Sequence, residues 1–416
     1  MNLGATFDDI LTSLVELQLP IRKILRFYST DFPLTDAAMP VTNPVEYTYT
    51  NPGGPANTGS TSKSIPHPPA VSKVEHVVSG LKTITYGLAE LSQSTTDVAC
   101  LWMLHPRLQT QECMAPFAAQ FIKSWNSKPQ SKNKGLIAVS FDQRNHGSRL
   151  VSPIANEAWR SGNEKHAQDM FSCYHGTSTD TSQLLDYIEA YIFPEPSDKR
   201  KITQNIVFGI SLGGHAGWHV LMQDQRFSAG IITIGCPDYT RIMSDRARLS
   251  KRKTWADTQG RDFIGSTDFP TGLAQAVRKY DPAGLILGTL AEARPQSKTQ
   301  THHHTDLTQA ERDVLLPLMS KTLGNKRIIN LSGGADKLVP YAQGKPFLDW
   351  LKHVSGKGGF FEGSGLHFED VIVDGAGHEV PPEMVQHMER FLLETLEGEA
   401  TMDAGKVGHG RRDSRI

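Results

Sequence analysis

Short apolar runs recur along the middle of the chain and alternate with segments of helical periodicity. The runs cover residues 98–104, 135–141, 205–208, 231–234, 327–331 and 370–374. Runs of this length are typical of strands buried in a sheet, and the periodic segments between them predict helices. Two further runs, 71–78 and 81–88, fit an antiparallel opening of the same sheet. The pattern therefore predicts an α/β fold.

The most informative turn is Gly209-Ile210-Ser211-Leu212-Gly213, which lies between the run 205–208 and a helical segment. A G-x-S-x-G sequence between strand and helix places the serine on a sharp turn that exposes its hydroxyl. The glycines leave room for strand and helix to pass closely. The alternative is a glycine-rich turn that carries a serine by chance, so the prediction needs partner residues.

Candidate partners follow this turn along the chain. Asp336 lies on a loop after the run 327–331, and His378 lies on the loop after the run 370–374. An imidazole can take the proton of a serine hydroxyl, and a carboxylate can orient that imidazole. Asp238, which follows the run 231–234, is an alternative acid. The order Ser, Asp, His favours nucleophilic acyl chemistry over a chance motif.

On these residues the chain resembles the α/β-hydrolase superfamily, over residues 70–397. The resemblance implies a mostly parallel central sheet with helices on both faces. It also implies that Ser211, Asp336 and His378 form a catalytic triad, with the serine as the acylated nucleophile.

The resemblance further implies an oxyanion hole built from backbone N–H groups. One donor is Leu212, and the other comes from the loop after the run 98–104. There His105-Pro106-Arg107 stands where the superfamily usually has His-Gly. Because proline has no N–H, we expect Arg107, or else Leu108, to supply the second donor.

Four further polar residues are expected to support the site rather than to react. Asp142 and His146 lie in a loop that recurs in the superfamily as a structural turn, with direct substrate contact as the alternative. His105 and Asp238 are the other two candidates for such support. The consecutive residues His302–His304 are better explained as a solvated loop than as a metal site, because three neighbours cannot all face one ion. The proposed chemistry needs neither metal nor cofactor.

The chain divides into five segments. Residues 1–69 combine an amphipathic stretch with an arm rich in Pro, Gly, Ser and Thr; 70–237 and 326–397 are the two halves of the hydrolase core. Residues 238–325 are an insertion with helical periodicity, which we expect to cap Ser211. Residues 398–416 are a flexible tail. The amphipathic stretch favours helices that dock on the core or on a partner subunit, with membrane-surface binding as the alternative.

A basic run in the insertion, from Arg246 to Lys253, is typical of a solvated helix face. Binding of an anionic substrate group such as a phosphate is the alternative interpretation.

Composition narrows the function classes. The 416-residue chain has 43 Lys and Arg against 44 Asp and Glu, which argues against nucleic acid as the main partner. Its four cysteines show no C-x-x-C spacing and are typical of reduced thiols. No apolar run approaches the roughly 18 residues of a membrane span, so no transmembrane segment is expected.

The chain ends in Ser414-Arg415-Ile416, a variant of the tripeptide that peroxisomal import receptors read. This ending predicts a peroxisomal protein, with the cytoplasm as the alternative. Together with the triad, it makes the chain similar to fungal peroxisomal abhydrolase proteins of host-selective toxin clusters, where an epoxy-decatrienoic acid is made. The similarity implies a fatty-acyl ester or thioester as substrate and a step in secondary-metabolite synthesis. An acyltransferase on the same triad and a non-catalytic ligand-binding protein are the alternatives.

Overall fold

A single eight-stranded sheet forms the centre of the computed structural model, which describes residues 43–50, 64–293 and 307–407. In chain order the strands are β1 (Lys73–Val78), β2 (Leu81–Tyr86), β3 (Asp97–Leu104), β4 (Lys134–Phe141), β5 (Lys201–Ile210), β6 (Phe227–Thr233), β7 (Arg327–Gly333) and β8 (His367–Val373). They are arranged in the order β1-β2-β4-β3-β5-β6-β7-β8. Strand β2 is antiparallel to both β1 and β4, and the other neighbouring pairs are parallel.

Helices cover both faces of this sheet. They include α1 (Ala115–Asn126), α2 (His166–Ile192), α3 (Leu212–Gln223), α9 (Tyr341–Ser355) and α10 (Pro382–Val407). This is the α/β-hydrolase fold. The predicted fold class is therefore confirmed.

Alternation along the strands explains why the sheet has two separate cores. Trp102 and Val207 face one side, with Trp218 of α3 and Phe347 of α9. The neighbouring residues along each strand, such as Phe208, face the other side, where α1 and α10 pack. Successive side chains of a strand point to opposite faces, so strands buried on both faces give continuous apolar runs.

Between β6 and β7 the chain forms α4 (Tyr239–Leu249), α5 (Lys253–Ala256), α6 (Thr271–Tyr280), α7 (Pro282–Ala293) and α8 (Gln309–Thr322). Residues of α4 and α6 form a third hydrophobic cluster with the start of α2, and this cluster includes Leu212 and Val339. The apolar residues of α7 and α8 instead pack in the core on the face of the sheet that α3 and α9 cover. Part of the insertion thus adjoins residues next to Ser211 and Asp336. The cap with bounds 238–325 stays a prediction.

A short segment of the N-terminal arm, residues 43–50, docks on the loop after β8. Thr48 Oγ1 donates to the carbonyl oxygen of Val380 at 2.8 Å, and the N–H of Val380 donates to Pro44 O at 2.9 Å. The predicted N-terminal helices, the residues His302–His304 and the ending Ser414–Ile416 lie outside the described residues. Within the described ranges, no helix is long and apolar enough to cross a membrane.

Candidate active site

Ser211 lies on a tight turn between β5 and α3. Its backbone has φ of 57° and ψ of −111°, a conformation that non-glycine residues rarely adopt. A Cβ at Gly209 would lie 2.0 Å from Gly213 O, and one at Gly213 would lie 2.0 Å from Leu104 O. Only glycine fits at either position. The strained serine is therefore held where strand, helix and the end of β3 meet.

The folded chain brings Ser211, His378 and Asp336 together. Ser211 Oγ lies 2.9 Å from His378 Nε2, and His378 Nδ1 lies 2.8 Å from Asp336 Oδ2. In the tautomer with hydrogen on Nδ1, the ring donates to the carboxylate and accepts from the serine hydroxyl. Ser211 is 7% exposed and Asp336 is 5% exposed. This geometry permits proton transfer from the hydroxyl to the imidazole.

Asp336 is held as a carboxylate that faces the imidazole. Its Oδ1 accepts the N–H groups of Leu338 at 2.8 Å and Val339 at 2.9 Å. Burial acts to raise the pKa of Asp336, but the hydrogen bond and charge of His378 and the two backbone donors lower it below its ordinary value. A charged carboxylate in this place can stabilise an imidazolium as it forms.

Free backbone donors occur in the turn and in the loop after β3. Leu212 is the first residue of α3, so its N–H has no acceptor within the helix. The contact of Gly213 with Leu104 places the start of the loop after β3 next to the turn. In that loop neither the N–H of Arg107 nor that of the alternative, Leu108, donates a hydrogen bond to another described residue. The oxyanion role of Leu212 and Arg107 stays a prediction.

His105 connects the loop after β3 with the loop after β4. Its Nδ1 donates to Pro106 O at 2.8 Å, and its Nε2 accepts the N–H of Gln143 at 3.0 Å. Gln143 returns a hydrogen bond from its side chain to His105 O. Burial lowers the pKa of His105 to about 4, so the ring is neutral at pH 7. His105 therefore fixes the shape of the loop that carries Arg107.

Asp142 and His146 shape the loop after β4 and make no hydrogen bond to the three central residues. Asp142 accepts Gln111 N at 2.9 Å and both the N–H and hydroxyl of Ser148 at 2.7 Å. Gly147 has φ of 50°, and a Cβ there would meet the Asp142 carboxyl at 2.2 Å. His146 Nδ1 lies 2.9 Å from Arg144 O.

Asp238, the alternative acid, has a different partner. Its carboxylate accepts the N–H of Arg241 at 2.9 Å and so caps α4. Asp281, also buried, lies nearby and accepts Tyr239 N at 3.1 Å. Burial raises the pKa of Asp238 to about 6. The structure therefore pairs His378 with Asp336 and not with Asp238.

The hydrogen bond from Thr48 to Val380 is a contact that the sequence did not indicate. It links the arm to the loop of His378 across 332 positions of the chain. No local motif marks such a pair, because neither residue belongs to a recognisable catalytic pattern.

Solved structures of the same fold align with most of the chain. TT1662 from Thermus thermophilus aligns with a TM-score of 0.47 and 17% identity over 79% of this chain and 98% of that one. An acylaminoacyl peptidase from Pyrococcus horikoshii aligns with a TM-score of 0.41 and 13% identity over 79% of this chain but only 41% of the peptidase. The esterase Pf2001 from Pyrococcus furiosus gives a TM-score of 0.38 and 12% identity, over 77% of this chain and 91% of the esterase.

No protein-family model matches the chain, and no curated protein matches it. Identities below 20% carry no information on substrate or reaction, and the geometry of the site is the guide to function.

Proposed function

We propose that the protein is a serine hydrolase that cleaves an ester or thioester through an acyl-enzyme at Ser211. The observation that carries the proposal is the continuous chain of hydrogen bonds from Ser211 through His378 to Asp336, with distances of 2.9 and 2.8 Å. A serine hydroxyl is a weak nucleophile by itself and needs a base within this distance.

In the proposed reaction, Ser211 Oγ attacks the acyl carbonyl while His378 Nε2 takes the hydroxyl proton. The imidazolium then returns the proton to the departing alcohol or thiol. Water, activated by the same imidazole, releases the acid and restores the serine. Asp336 keeps the imidazole in the required tautomer in both steps.

The negative charge that forms on the carbonyl oxygen needs donors placed before the reaction. We assign this role to the backbone N–H groups of Leu212 and Arg107. Support comes from their freedom from other acceptors and from the contact of the turn with the end of β3.

The insertion, residues 238–325, acts in this proposal as a cap that shapes the acyl pocket. Its hydrophobic cluster includes Leu212 and Val339, each next to or close to a triad residue in the chain. A fatty-acyl ester or thioester, a role in secondary-metabolite synthesis and peroxisomal import through Ser414-Arg415-Ile416 are the finer parts of the proposal. They rest on the sequence resemblance alone.

Labelling with a fluorophosphonate probe tests the proposal directly. The wild-type protein should be labelled and should hydrolyse a p-nitrophenyl ester, whereas Ser211→Ala should lose the label and on the order of 10⁶-fold in kcat. Ser172→Ala is the matched control, because Ser172 is an exposed serine of α2 whose hydroxyl donates to Asp169 O at 3.0 Å. It should behave as the wild type.

Absence of labelling in a folded wild-type protein would contradict the proposal and favour a non-catalytic ligand-binding role. Labelling combined with transfer of the acyl group to an added alcohol, in preference to water, would identify an acyltransferase instead. A panel of acyl-CoA thioesters and simple esters then ranks the leaving groups.

A further inference from the structure

A cavity of about 370 Å³ lies beside the loops that carry Arg107 and Asp336. Part of the lining is formed by three residues that follow Asp336, namely Lys337, Leu338 and Pro340. Further lining comes from α4 and from the turn of residues 157–161. Three arginines are part of the lining: the exposed Arg160, and Arg107 and Arg246, whose guanidinium groups are more deeply placed.

The first of these groups is deeply buried. Arg107 is 7% exposed, and Nη1 donates to Asn156 O at 2.9 Å. A guanidinium carries five N–H donors. Among the residues that the structure describes, the guanidinium of Arg107 makes only this hydrogen bond. Burial, and then the charge of Arg246, lower the pKa of Arg107 to about 10. The group is therefore still charged at pH 7 and retains donors for a ligand.

The second group is also left with spare donors. Arg246 makes two long contacts, 3.3 Å from Nη1 to His166 Nε2 and 3.4 Å from Nη2 to Leu338 O. Its Nε is buried and has no hydrogen-bond partner among the residues described. Each terminal nitrogen of a guanidinium carries two N–H donors, so one on Nη1 and one on Nη2 remain for a ligand.

Neither arginine forms an ion pair with a carboxylate within the described ranges of the chain. Other members of the same basic run do: Arg248 lies 2.7 Å from Asp245, and Arg252 lies 2.7 Å from Asp268. The predicted solvated face thus fits Lys251 and Lys253, which are exposed. Arg248 and Arg252 are partly buried in ion pairs, and Arg246 turns to the cavity.

The remaining charges around the cavity leave it positive. Burial and the charges of Arg246 and Arg107 lower the pKa of His166, so this ring is neutral at pH 7. The ionisable side chains of the lining are four basic and two acidic residues: Arg107, Arg160, Arg246, Lys337, Glu157 and Asp245. One of the acids, Asp245, is already paired with Arg248.

We propose that this cavity binds a carboxylate carried by the acyl part of the substrate, so that the preferred substrates are half-esters or half-thioesters of dicarboxylic acids. This inference rests on the proposed function. Two guanidinium groups with free N–H donors match a carboxylate, which accepts paired hydrogen bonds. The unpaired acidic side chain in the same lining, Glu157, favours a single negative charge over a doubly charged phosphate. The acyl part is chosen because it stays attached to Ser211 through both steps, whereas the leaving group must depart.

The test compares two p-nitrophenyl esters of equal acyl length, the hexanoate and the half-ester of adipate. The wild type should favour the adipate half-ester in kcat/KM. Arg246→Leu should lower kcat/KM for the adipate half-ester about 10- to 100-fold, mainly through KM, because it removes charged hydrogen bonds. Turnover of the hexanoate should stay within about twofold, and Arg246→Lys should restore part of the preference.

Arg261→Leu is the matched control, because Arg261 is an exposed arginine of the same insertion and lies outside the cavity lining. Equal loss of activity on both esters in Arg246→Leu would mean a merely structural role and would overturn the inference. An unchanged preference for adipate would overturn it as well, while leaving Ser211-dependent hydrolysis intact.

A binding measurement separates this inference from the proposed function. Calorimetry on Ser211→Ala should detect binding of free adipate, and adding Arg246→Leu should abolish it. Tighter binding of inorganic phosphate than of adipate would overturn the choice of a carboxylate. Adipate binding could depend on Arg246 although the wild-type protein does not react with a fluorophosphonate. That result would support the anion site and contradict the proposed hydrolase function.

Discussion

Asp336 and Asp238 are two buried carboxylates that follow neighbouring strands of the same sheet, β7 and β6, yet their environments are opposite. Asp336 faces His378 and two backbone N–H groups, and its pKa lies below the ordinary value. Asp238 caps α4 and has the carboxylate of Asp281 as a neighbour, and burial raises its pKa to about 6. Position in the fold makes either residue a candidate acid. The hydrogen-bond partners of each carboxylate determine which one stays charged and can orient the imidazole of His378.

The comparison also separates two ways of using a buried carboxylate. In the loop after β7 the charge is balanced by a group that becomes positive during the proposed reaction. At the start of α4 the carboxylate is balanced by helix N–H groups, and its acidic neighbour Asp281 opposes the charge. The first arrangement suits the proposed proton transfer, and the second stabilises the start of α4 in the insertion.

The largest expected effect is on activity. Asp336→Asn should lower kcat for ester hydrolysis about 10⁴-fold, because the amide favours the wrong imidazole tautomer. Asp238→Asn should stay within a few-fold of the wild type, since asparagine is also a good N-cap for α4. Steady-state kinetics on one p-nitrophenyl ester measures both. A larger loss in Asp238→Asn than in Asp336→Asn would reverse the assignment of the acid.

The next effect is on the pH dependence of stability. The pKa of Asp238 rises from 3.8 to about 6 on folding, so its contribution to stability is complete below pH 3.8 and is lost as the pH rises towards 6. Burial and the charge of Asp238 also raise the pKa of Asp281. Asp281→Asn removes this second acid, whose ionisation costs stability, and should therefore reduce the loss at higher pH by about 1–3 kcal/mol. Asp336, whose pKa is lowered, contributes with the opposite sign: its part is present at neutral pH and is lost as the pH falls through its folded-state pKa.

Urea unfolding at about pH 4.5 and about pH 7.5, which lie about 1.5 units below and above the folded-state pKa of Asp238, measures the free energy of unfolding of wild type and variant. The variant should gain stability relative to the wild type at the higher pH. A difference between the two proteins that does not change with pH would show that the two carboxylates do not interact.

The smallest effect concerns the loop that brings His378 to Asp336. Thr48→Val removes the donor to Val380 O, which is buried, and should lower the free energy of unfolding by about 1–3 kcal/mol. Activity should fall by a few-fold, because the loop of His378 loses one of its two hydrogen bonds with the arm. Thr289→Val is the control, since the Thr289 hydroxyl bonds to Leu285 O inside α7. Equal changes in activity for both variants would exclude a role of the arm in placing His378.

Much of the fold follows from the sequence because each central strand is buried on two faces. The run 205–208 predicted β5, although the strand itself begins at Lys201, whose neighbour across the sheet is Asp97. Polar residues at the end of a strand interrupt the apolar run while backbone pairing continues, so the bounds come out too short.

The three central residues of the site also follow from the sequence, since a glycine-serine turn and the order of acid and base are local signals. The contacts around them are not local. Thr48 meets Val380, Asp238 meets Asp281, and Arg107 meets Arg246 only because separate elements pack together. The basic run that contains Arg246 looked uniform in the sequence, and packing alone distinguishes its first member from the arginines that follow.

The close approach of Gly209, Gly213 and Leu104 has a practical consequence for directed evolution of this protein. Any side chain at position 209 or 213 would push backbone against backbone, so randomising these positions fills a library with proteins that do not fold. Gly272 in α6 has open space around its Cβ direction, and alanine there should be accepted without penalty. Sequence diversity should therefore be introduced at positions with open space, such as Gly272, and the turn that carries Ser211 should be left unchanged.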